Sequence, residues 1–443
     1  MGLITVPSRR PERHNGQGST KLQDPTGRQG CRMSRLDYVE AFIRGIHENL
    51  SPGIPETLAG IWISREGEGS LFLDQSDSGA YESTVDRLID DFVKDDSLSR
   101  RSVESFLQEA LFRALDINGT SSQTFDERIG PSQAALRKRL ASPPSEFRCL
   151  VRVDGLAGKD LPFALGRVRF VEYGPSQERQ LSRGSPPAGT RLLREQARDV
   201  LTGKVCAIAD VEASDLASAQ SRARREVRAT LDCLNFFGDL TPYNHGWVHF
   251  PAEAAGVVET VPVRDSAGGV HVGFQHQGPT LPFSLEQLRK SRQVLRYVRI
   301  VGALLRTAKP GEAGQVLLTA FQWAGRASVE PRREQSFLLF TIALETAALP
   351  SQQQELNYRL GNRVASLLGR SRPQRDEIRH ELVRLYKLRS SIVHSGSNEV
   401  TDVDLASVRS LAKRALLQLA GRRAMWSWTP AALDTWLEST SAK

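Results

Sequence analysis

The chain has few cysteines for its length and no extended apolar run. Only 4 of its 443 residues are Cys, and they are far apart without any Cys-x-x-Cys spacing. This usage excludes a disulfide-stapled scaffold and a Cys-based zinc site, and it favours reduced thiols inside a cell. The longest apolar run, 337–349, is too short to span a bilayer and contains Glu345.

Several functional signals are also missing. The N-terminus lacks the apolar core of a secretory leader, so we expect a soluble cytoplasmic protein that does not contact membranes. No P-loop motif and no Gly-x-Ser-x-Gly elbow occurs, which leaves nucleotide hydrolysis and serine hydrolysis without support. His245 with His249, and His271 with His276, lie in strand-like segments, where four residues span about 13 Å. We therefore expect no metal site, and no cofactor is predicted.

Basic charge is concentrated near the C-terminus. The formal net charge of the chain is +8, and residues 331–424 contain 16 Arg and Lys against 9 Asp and Glu. A local basic surplus raises the concentration of polyanions around it and suits the phosphate backbone of RNA. The alternative is that these charges are only the solvated faces of helices.

Composition and periodicity divide the chain into five segments. Arg, Gly, Pro and Gln dominate the first segment, which offers too little apolar surface to order itself. The predicted segments are a disordered tail (1–32), a helical region (33–142), an α+β sensor or substrate-positioning module (143–280), a helical bundle (281–425) and a C-terminal tail (426–443). The predicted fold class is α+β, with an all-α C-terminal domain.

Apolar periodicity predicts the individual elements. Helices are predicted near 36–46, 82–95, 101–116, 131–141, 214–236, 312–327, 333–348, 352–369 and 373–395. Strands are predicted near 147–153, 168–170, 205–209, 246–250, 257–263 and 270–275, with an exposed loop over 174–198. Ser284 with Gln287, and Thr401 with Asp404, have the spacing of capping boxes and predict the starts of two further helices.

An Arg followed five residues later by a His occurs three times, as Arg9–His14, Arg375–His380 and Arg389–His394. The third pair differs in context, because the predicted helix over 373–395 places its His in the last turn. The negative end of the helix dipole favours imidazolium there, while the nearby Arg opposes it, so the His is suited to exchange protons. Arg389 falls on the apolar stripe of this helix and therefore needs a partner or a ligand, for which phosphate is one candidate.

The segment Arg389–His394, with Tyr386 one turn before it, resembles the Arg-x4-6-His signature of HEPN domains, in particular the Apea-like branch. Phe340–Glu345 resembles the helix of that branch that ends in Leu-Glu, and Trp323–Ala327 resembles the preceding helical pair. The likeness covers roughly residues 283–423.

The resemblance implies a bundle of four or five helices that dimerises and brings two Arg-x4-His helices together. It also implies metal-independent cleavage of RNA in bacterial toxin, abortive-infection or antiviral defence systems, with an unidentified neutralising or triggering partner.

The sequence thus predicts an endoribonuclease in which Arg389 and His394 are catalytic. Glu345, Tyr386 and Ser390 are predicted to support them, Glu345 through a salt link to Arg389 or a contact with Tyr386. Weaker predictions assign RNA contacts to four basic residues: Arg384, Lys387, Arg222 and Arg225. The alternative, with the same fold, is a non-catalytic HEPN scaffold in which Arg389 and His394 complete a dimer interface or bind RNA without cutting it.

Overall fold

The computed structural model describes residues 4–7, 36–49, 60–65, 69–93, 98–116, 121–141, 143–156, 161–182, 195, 198–199, 201–241, 246–250, 258–264, 270–276, 283–351, 356–395 and 400–441. These residues form an α+β protein with a mostly helical C-terminal region. The chain divides into two compact units. One comprises Thr5–Arg148 and Val211–Arg222, and the other comprises Met1–Ile4, Cys149–Asp210 and Ala223–Lys443.

The described residues of the N-terminal part form four helices and three strands. In chain order these are β1 (Ile4–Pro7), α1 (Asp37–Asn49), β2 (Gly60–Arg65), β3 (Gly69–Asp74), α2 (Gln75–Phe92), α3 (Arg100–Leu115) and α4 (Phe125–Leu140). Side-chain caps begin three of the helices, at Asp74, Ser99 and Thr124, and Thr124 forms a full capping box with Glu127. A continuous apolar core joins the four helices to β3.

The four predicted helices of this part are present, and the structure adds an antiparallel pair of strands, β2 and β3. Leu71 and Leu73 of β3 are buried, two residues apart, as the alternating period of a strand requires. The segment 1–32, predicted to be disordered, includes β1, which pairs with a strand of the central sheet. Residues 8–32 lie outside the described part of the chain.

The middle of the chain is built on a five-stranded sheet. Its elements are β4 (Ser145–Arg152), β5 (Phe163–Leu165), β6 (Val168–Glu172), α5 (Pro175–Ser182), β7 (Val205–Ala213), α6 (Leu216–Gly238), β8 (Val258–Arg264) and β9 (Val270–His276). The sheet order is β1-β4-β7-β6-β5, and β8 pairs with β9 in a separate antiparallel ribbon. The helix α6 follows β7 directly and carries an apolar stripe, of which Val227, Leu231 and Leu234 are buried.

Most of the predicted elements of this region are confirmed, with two corrections. The loop predicted over 174–198 contains α5, and much of its remainder lies outside the described residues. The strand predicted over 246–250 is reduced to an isolated bridge between His249 and Asp154. The amide of Asn235 takes the place of a neighbouring strand, because it both donates to and accepts from the backbone of Val248, at 3.0 and 2.8 Å.

The C-terminal bundle contains the remaining helices. They are α7 (Leu285–Lys290), α8 (Arg292–Thr307), α9 (Ala313–Val329), α10 (Arg333–Ala348), α11 (Leu356–Leu368), α12 (Arg372–Ser395), α13 (Asp402–Ala420) and α14 (Pro430–Ser441). The main packed pairs are α9 with α10, α10 with α13, and α11 with both α12 and α14. The predicted capping box of Thr401 and Asp404 opens α13. The side chain of Ser284 caps α7 by accepting a hydrogen bond from the backbone N–H of Gln287, and Ser291 caps α8.

The segment 426–443, separated as a tail by its sequence, joins the bundle. The backbone oxygens of Trp426 and Trp428 accept hydrogen bonds from Gly314 and Ala313 at the start of α9, at 2.8 and 2.7 Å. The segment then forms α14, which packs on α11. Among the described residues, no helix combines the length and apolar character that crossing a membrane requires.

Candidate functional site

The predicted motif lies on α12, the longest helix of the described bundle. Leu382, Leu385 and Tyr386 are buried at helical spacing and fix which face of α12 meets its neighbours. The helix continues to Ser395, so His394 occupies the last turn, as the sequence predicted. Both motif residues are therefore held on a regular element up to its C-terminal end.

Arg389 contacts a carboxylate of a neighbouring helix. Its Nε lies 3.6 Å from Oε1 of Glu345 on α10, and the exposed fractions of the two side chains are 27% and 19%. The guanidinium also lies over the ring of Tyr386, with Cζ 5.5 Å from the ring centroid. The predicted salt link between Glu345 and Arg389 is thus present, and α10 and α12 together position the Arg.

Tyr386 completes this group through a hydrogen bond with Glu345. Burial, the negative charge of Glu345 and this hydrogen bond raise the pKa of Tyr386 to about 12, and Arg389 acts in the opposite direction. Tyr386 therefore stays protonated near neutral pH and donates to the carboxylate. Oε1 of Glu345 has no hydrogen-bond partner among the described residues, because 3.6 Å is too long for a hydrogen bond.

His394 lies apart from this group. It lies five positions after Arg389, which on a helix corresponds to about 140° around the axis and about 7.5 Å along it. His394 is exposed, whereas Arg389 and its neighbour Ser390 are partly buried. A single copy of α12 therefore directs the two motif side chains to different sides of the helix.

The four predicted RNA-contacting residues differ in their surroundings. Arg384 bonds two carboxylates, those of Glu381 at 2.8 Å and Asp404 at 2.5 Å, and both interactions raise its pKa. It thereby joins α12 to the capping box of α13, which accounts for the residue structurally. Lys387 is exposed on α12, and Arg225 is exposed on α6. Arg222 donates to the backbone oxygen of Glu212 at 2.8 Å.

A groove of about 1050 Å³ runs between α8, α12 and α13 but does not include the motif. It follows the N-terminal half of α12, and neither Arg389 nor His394 lines it. Its charged lining is mixed, with three carboxylates and two guanidiniums: Glu377, Glu381, Asp402, Arg370 and Arg414. A surface that binds a phosphate backbone is expected to have more basic than acidic side chains, and the lining of this groove does not.

Sequence reasoning missed two buried charged clusters beside α6. Asp232 is 2% exposed, and its carboxylate accepts a hydrogen bond from Nε of Arg326 on α9 at 3.0 Å. Asp239, after the end of α6, contacts Lys413 and Arg409 of α13, with Nε of Arg409 at 2.7 Å. Each pairing joins residues about 90 or more positions apart, so no local pattern could have indicated it. The only available signal was an acidic residue within an apolar stretch of helix.

Comparison with protein-family models, curated proteins and solved structures finds no match to this chain. Within the described ranges, no group of three or more His, Cys, Asp or Glu side chains is placed to hold a metal ion. The arrangement of Glu345, Tyr386, Arg389 and His394 therefore has to be interpreted from its own chemistry.

Proposed function

We propose that this protein is a metal-independent endoribonuclease whose active site combines Arg389 and His394 from two copies of the chain. The observation that carries the proposal is the supported position of Arg389, held between Glu345 and the ring of Tyr386, on the helix that ends with an exposed His394. A fixed guanidinium suits the charge of a phosphoryl transition state, and an exposed imidazole suits proton transfer near neutral pH.

In the proposed reaction, His394 of one copy removes the proton of a ribose 2′-hydroxyl. The 2′-oxygen attacks the adjacent phosphorus, and the bond between phosphorus and the 5′-oxygen of the next nucleotide breaks. The other copy's His394, protonated, supplies a proton to that leaving oxygen. Arg389 stabilises the negative charge on the phosphorane oxygens. The products are a 2′,3′-cyclic phosphate and a 5′-hydroxyl.

An exposed apolar side chain beside His394 supports the participation of two copies. Val393 is 52% exposed, and it lies eleven residues after the buried Leu382, within about 20° of it around the helix. The apolar stripe of α12 therefore continues beyond the part that its own bundle covers. A second copy packed on Val393 would bury this stripe and bring a second Arg389 and His394 to the same place.

The second candidate is a non-catalytic HEPN-like scaffold that dimerises or binds RNA. The contact between Arg389 and Glu345 favours it, because a partly buried Arg paired with a carboxylate also has a purely structural use. Both candidates suit a toxin or antiviral defence protein, and they differ only in whether RNA is cut.

The test is a cleavage assay of the purified full chain with total RNA and with tRNA in the presence of EDTA. Arg389→Ala and His394→Ala should each lower the rate about 100-fold or more, because each removes a group that acts in the transition state. The matched control is His380→Ala, an exposed His of the other Arg-x4-His pair on α12. The product ends are identified with a phosphatase. It removes the terminal phosphate only after the 2′,3′-cyclic ring has been opened, so resistance before opening and sensitivity after it indicate a cyclic phosphate.

Wild-type cleavage by His394→Ala, or equal loss in His380→Ala, would exclude the assigned site. Strict dependence on an added divalent ion, with 5′-phosphate products, would exclude the mechanism. RNA binding and dimerisation without cleavage by the wild type would select the scaffold.

A further inference from the structure

Three arginines lie close together near the crossing of α6 and α9, and two of them, Arg228 and Arg326, act on the buried carboxylate of Asp232. The two helices approach closely at Gly325, where a Cβ would lie 1.9 Å from the backbone oxygen of Asp232. This approach places Arg326, the next residue, against Asp232. Arg224 and Arg228, one turn apart, lie on the neighbouring part of α6. Arg224, Arg228 and Arg326 are called the arginine cluster below.

Aromatic rings fix the guanidiniums of the arginine cluster. Cζ of Arg228 lies 4.4 Å from the ring centroid of Phe250, and Cζ of Arg224 lies 5.6 Å from the same centroid. Cζ of Arg326 lies 5.1 Å from the ring of Trp323. Cation–π contacts of this kind hold a guanidinium in place while leaving its N–H groups able to bind a ligand.

The platform under these guanidiniums is itself anchored. Phe250 is buried and ends the segment 246–250, which Asn235 of α6 holds by two hydrogen bonds to Val248. His249, the residue between them, exchanges two backbone hydrogen bonds with Asp154, at 2.9 and 3.1 Å. The ring beneath Arg224 and Arg228 is therefore fixed to both α6 and the strand region.

Like charges lie close together in the arginine cluster. The carboxylate of Asp232 raises the pKa of Arg228, and the guanidiniums of Arg326 and Arg224 lower it. Burial has the largest effect and lowers the pKa of Arg228. Arg224 is exposed, and the side chain of Arg326 is 41% exposed. Asp232 thus faces the guanidiniums of Arg228 and Arg326, and Arg224 lies beside Arg228. Arg224 and Arg326 reach solvent.

We propose that the arginine cluster binds the phosphate backbone of single-stranded RNA at a surface distinct from Arg389 and His394. Guanidiniums bind phosphate oxygens in pairs of parallel hydrogen bonds. A bound polyanion also reduces the repulsion between neighbouring guanidiniums. The choice of RNA rests on the proposed function. An acidic protein segment is the competing ligand, and it would not need the rigid, ring-supported geometry seen here.

The experiment measures binding of a fluorescent single-stranded RNA with 2′-O-methyl riboses, which cannot be cleaved through the 2′-oxygen. Fluorescence anisotropy of the full chain in EDTA gives the affinity over a series of salt concentrations. Arg224→Gln combined with Arg326→Gln should weaken binding about 10-fold, and it should reduce the slope of log affinity against log salt by about 1.4, the value for two lost contacts with single-stranded RNA. Gln is chosen at position 326 because its side-chain amide can still donate a hydrogen bond to the carboxylate of Asp232.

The matched control is Arg296→Gln combined with Arg299→Gln, which removes the same charge from two exposed arginines of α8. We expect less than a twofold change in affinity for this variant. If the Arg224 and Arg326 double variant loses its cooperative thermal transition, the single variant Arg224→Gln replaces it in the test. We expect this variant to bind the RNA about threefold more weakly than wild type.

Equal losses in both double variants, or no loss in either, would overturn the proposal, as would wild-type binding to an acidic peptide in preference to the RNA. These outcomes are separate from failure of the proposed function. A chain that binds the uncleavable RNA through Arg224 and Arg326 but never cuts RNA retains this site and loses the nuclease proposal. A chain that cuts RNA at wild-type rate and affinity without Arg224 and Arg326 retains the nuclease proposal and loses this site.

Discussion

Asp232 shows how burial changes the chemistry of a single side chain. It is buried in α6, and this burial raises its pKa to about 6, although Arg326 and Arg228 act to lower it. Desolvation therefore outweighs the attraction of two guanidiniums. The folded protein holds the proton of Asp232 more tightly than the unfolded chain does, and protonation consequently favours folding.

The sign of the resulting pH dependence follows from this difference. The contribution of Asp232 to stability is fully present below its ordinary pKa of 3.8 and is lost as the pH rises through about 6. Since one pKa unit corresponds to about 1.4 kcal/mol, the loss is at most about 3 kcal/mol. In Asp232→Asn this component should be absent, so the unfolding free energy should vary less between about pH 4 and pH 6.5 than in wild type.

Urea unfolding at several pH values measures this effect, with Asp376→Asn as a control at a carboxylate whose side chain is 44% exposed. Parallel pH profiles of wild type and Asp232→Asn would show that the protonation of Asp232 does not contribute.

The helix α14 is fixed to the bundle by one buried charge. Arg363 of α11 is 1% exposed, and its guanidinium bonds Asp434 and Glu438 of α14 at 2.6 Å each and the backbone oxygen of Ala348 at 3.0 Å. The two carboxylates differ in exposure, with 9% for the side chain of Asp434 and 57% for that of Glu438. A buried charge that loses its partner is strongly destabilising, whereas an exposed partner contributes little.

Asp434→Ala should therefore lower the unfolding free energy by about 3 kcal/mol or more, and Glu438→Ala by about 1 kcal/mol or less. Both variants change a carboxylate of the same helix bonded to the same Arg, so they form a matched pair. Chemical denaturation of the two variants and wild type gives the comparison. Equal losses would mean that the difference in burial does not determine the strength of this contact.

Association of two copies is the property of the complete molecule on which the proposed activity depends. Val393→Glu places a charge on the exposed end of the α12 stripe, where it should prevent a second copy from packing. We expect the variant to be a folded monomer in light scattering and to lose RNA cleavage, while wild type has about twice the chain mass. Val383→Glu is the control, at a residue that is 37% exposed on another side of the same helix.

A wild-type chain that is monomeric and cuts RNA at full rate would contradict the two-copy site. Loss of the thermal transition in Val393→Glu would be unexpected, because half of this side chain already lies in solvent.

Local signals in the sequence determined most elements of the fold. Apolar residues at helical spacing predicted α10 and α12 almost to their ends, and the caps at Ser284 and Thr401 marked helix starts, because these signals act within one or two turns. The motif could be placed on a helix end for the same reason. The salt link of Glu345 was also accessible, since a carboxylate in an apolar helix requires a partner.

Only the tertiary structure decided which faces meet and which charges are buried. The partners of Asp232 and Arg363 lie 94 and 71 residues away in the chain, so their pairing depends on how separate helices pack. The same packing left Val393 exposed and turned the tail after Trp426 into α14, with its anchor on Arg363. Periodicity defines the apolar face of each helix, but the partner of that face, and the local dielectric around each charge, arise when the helices come together.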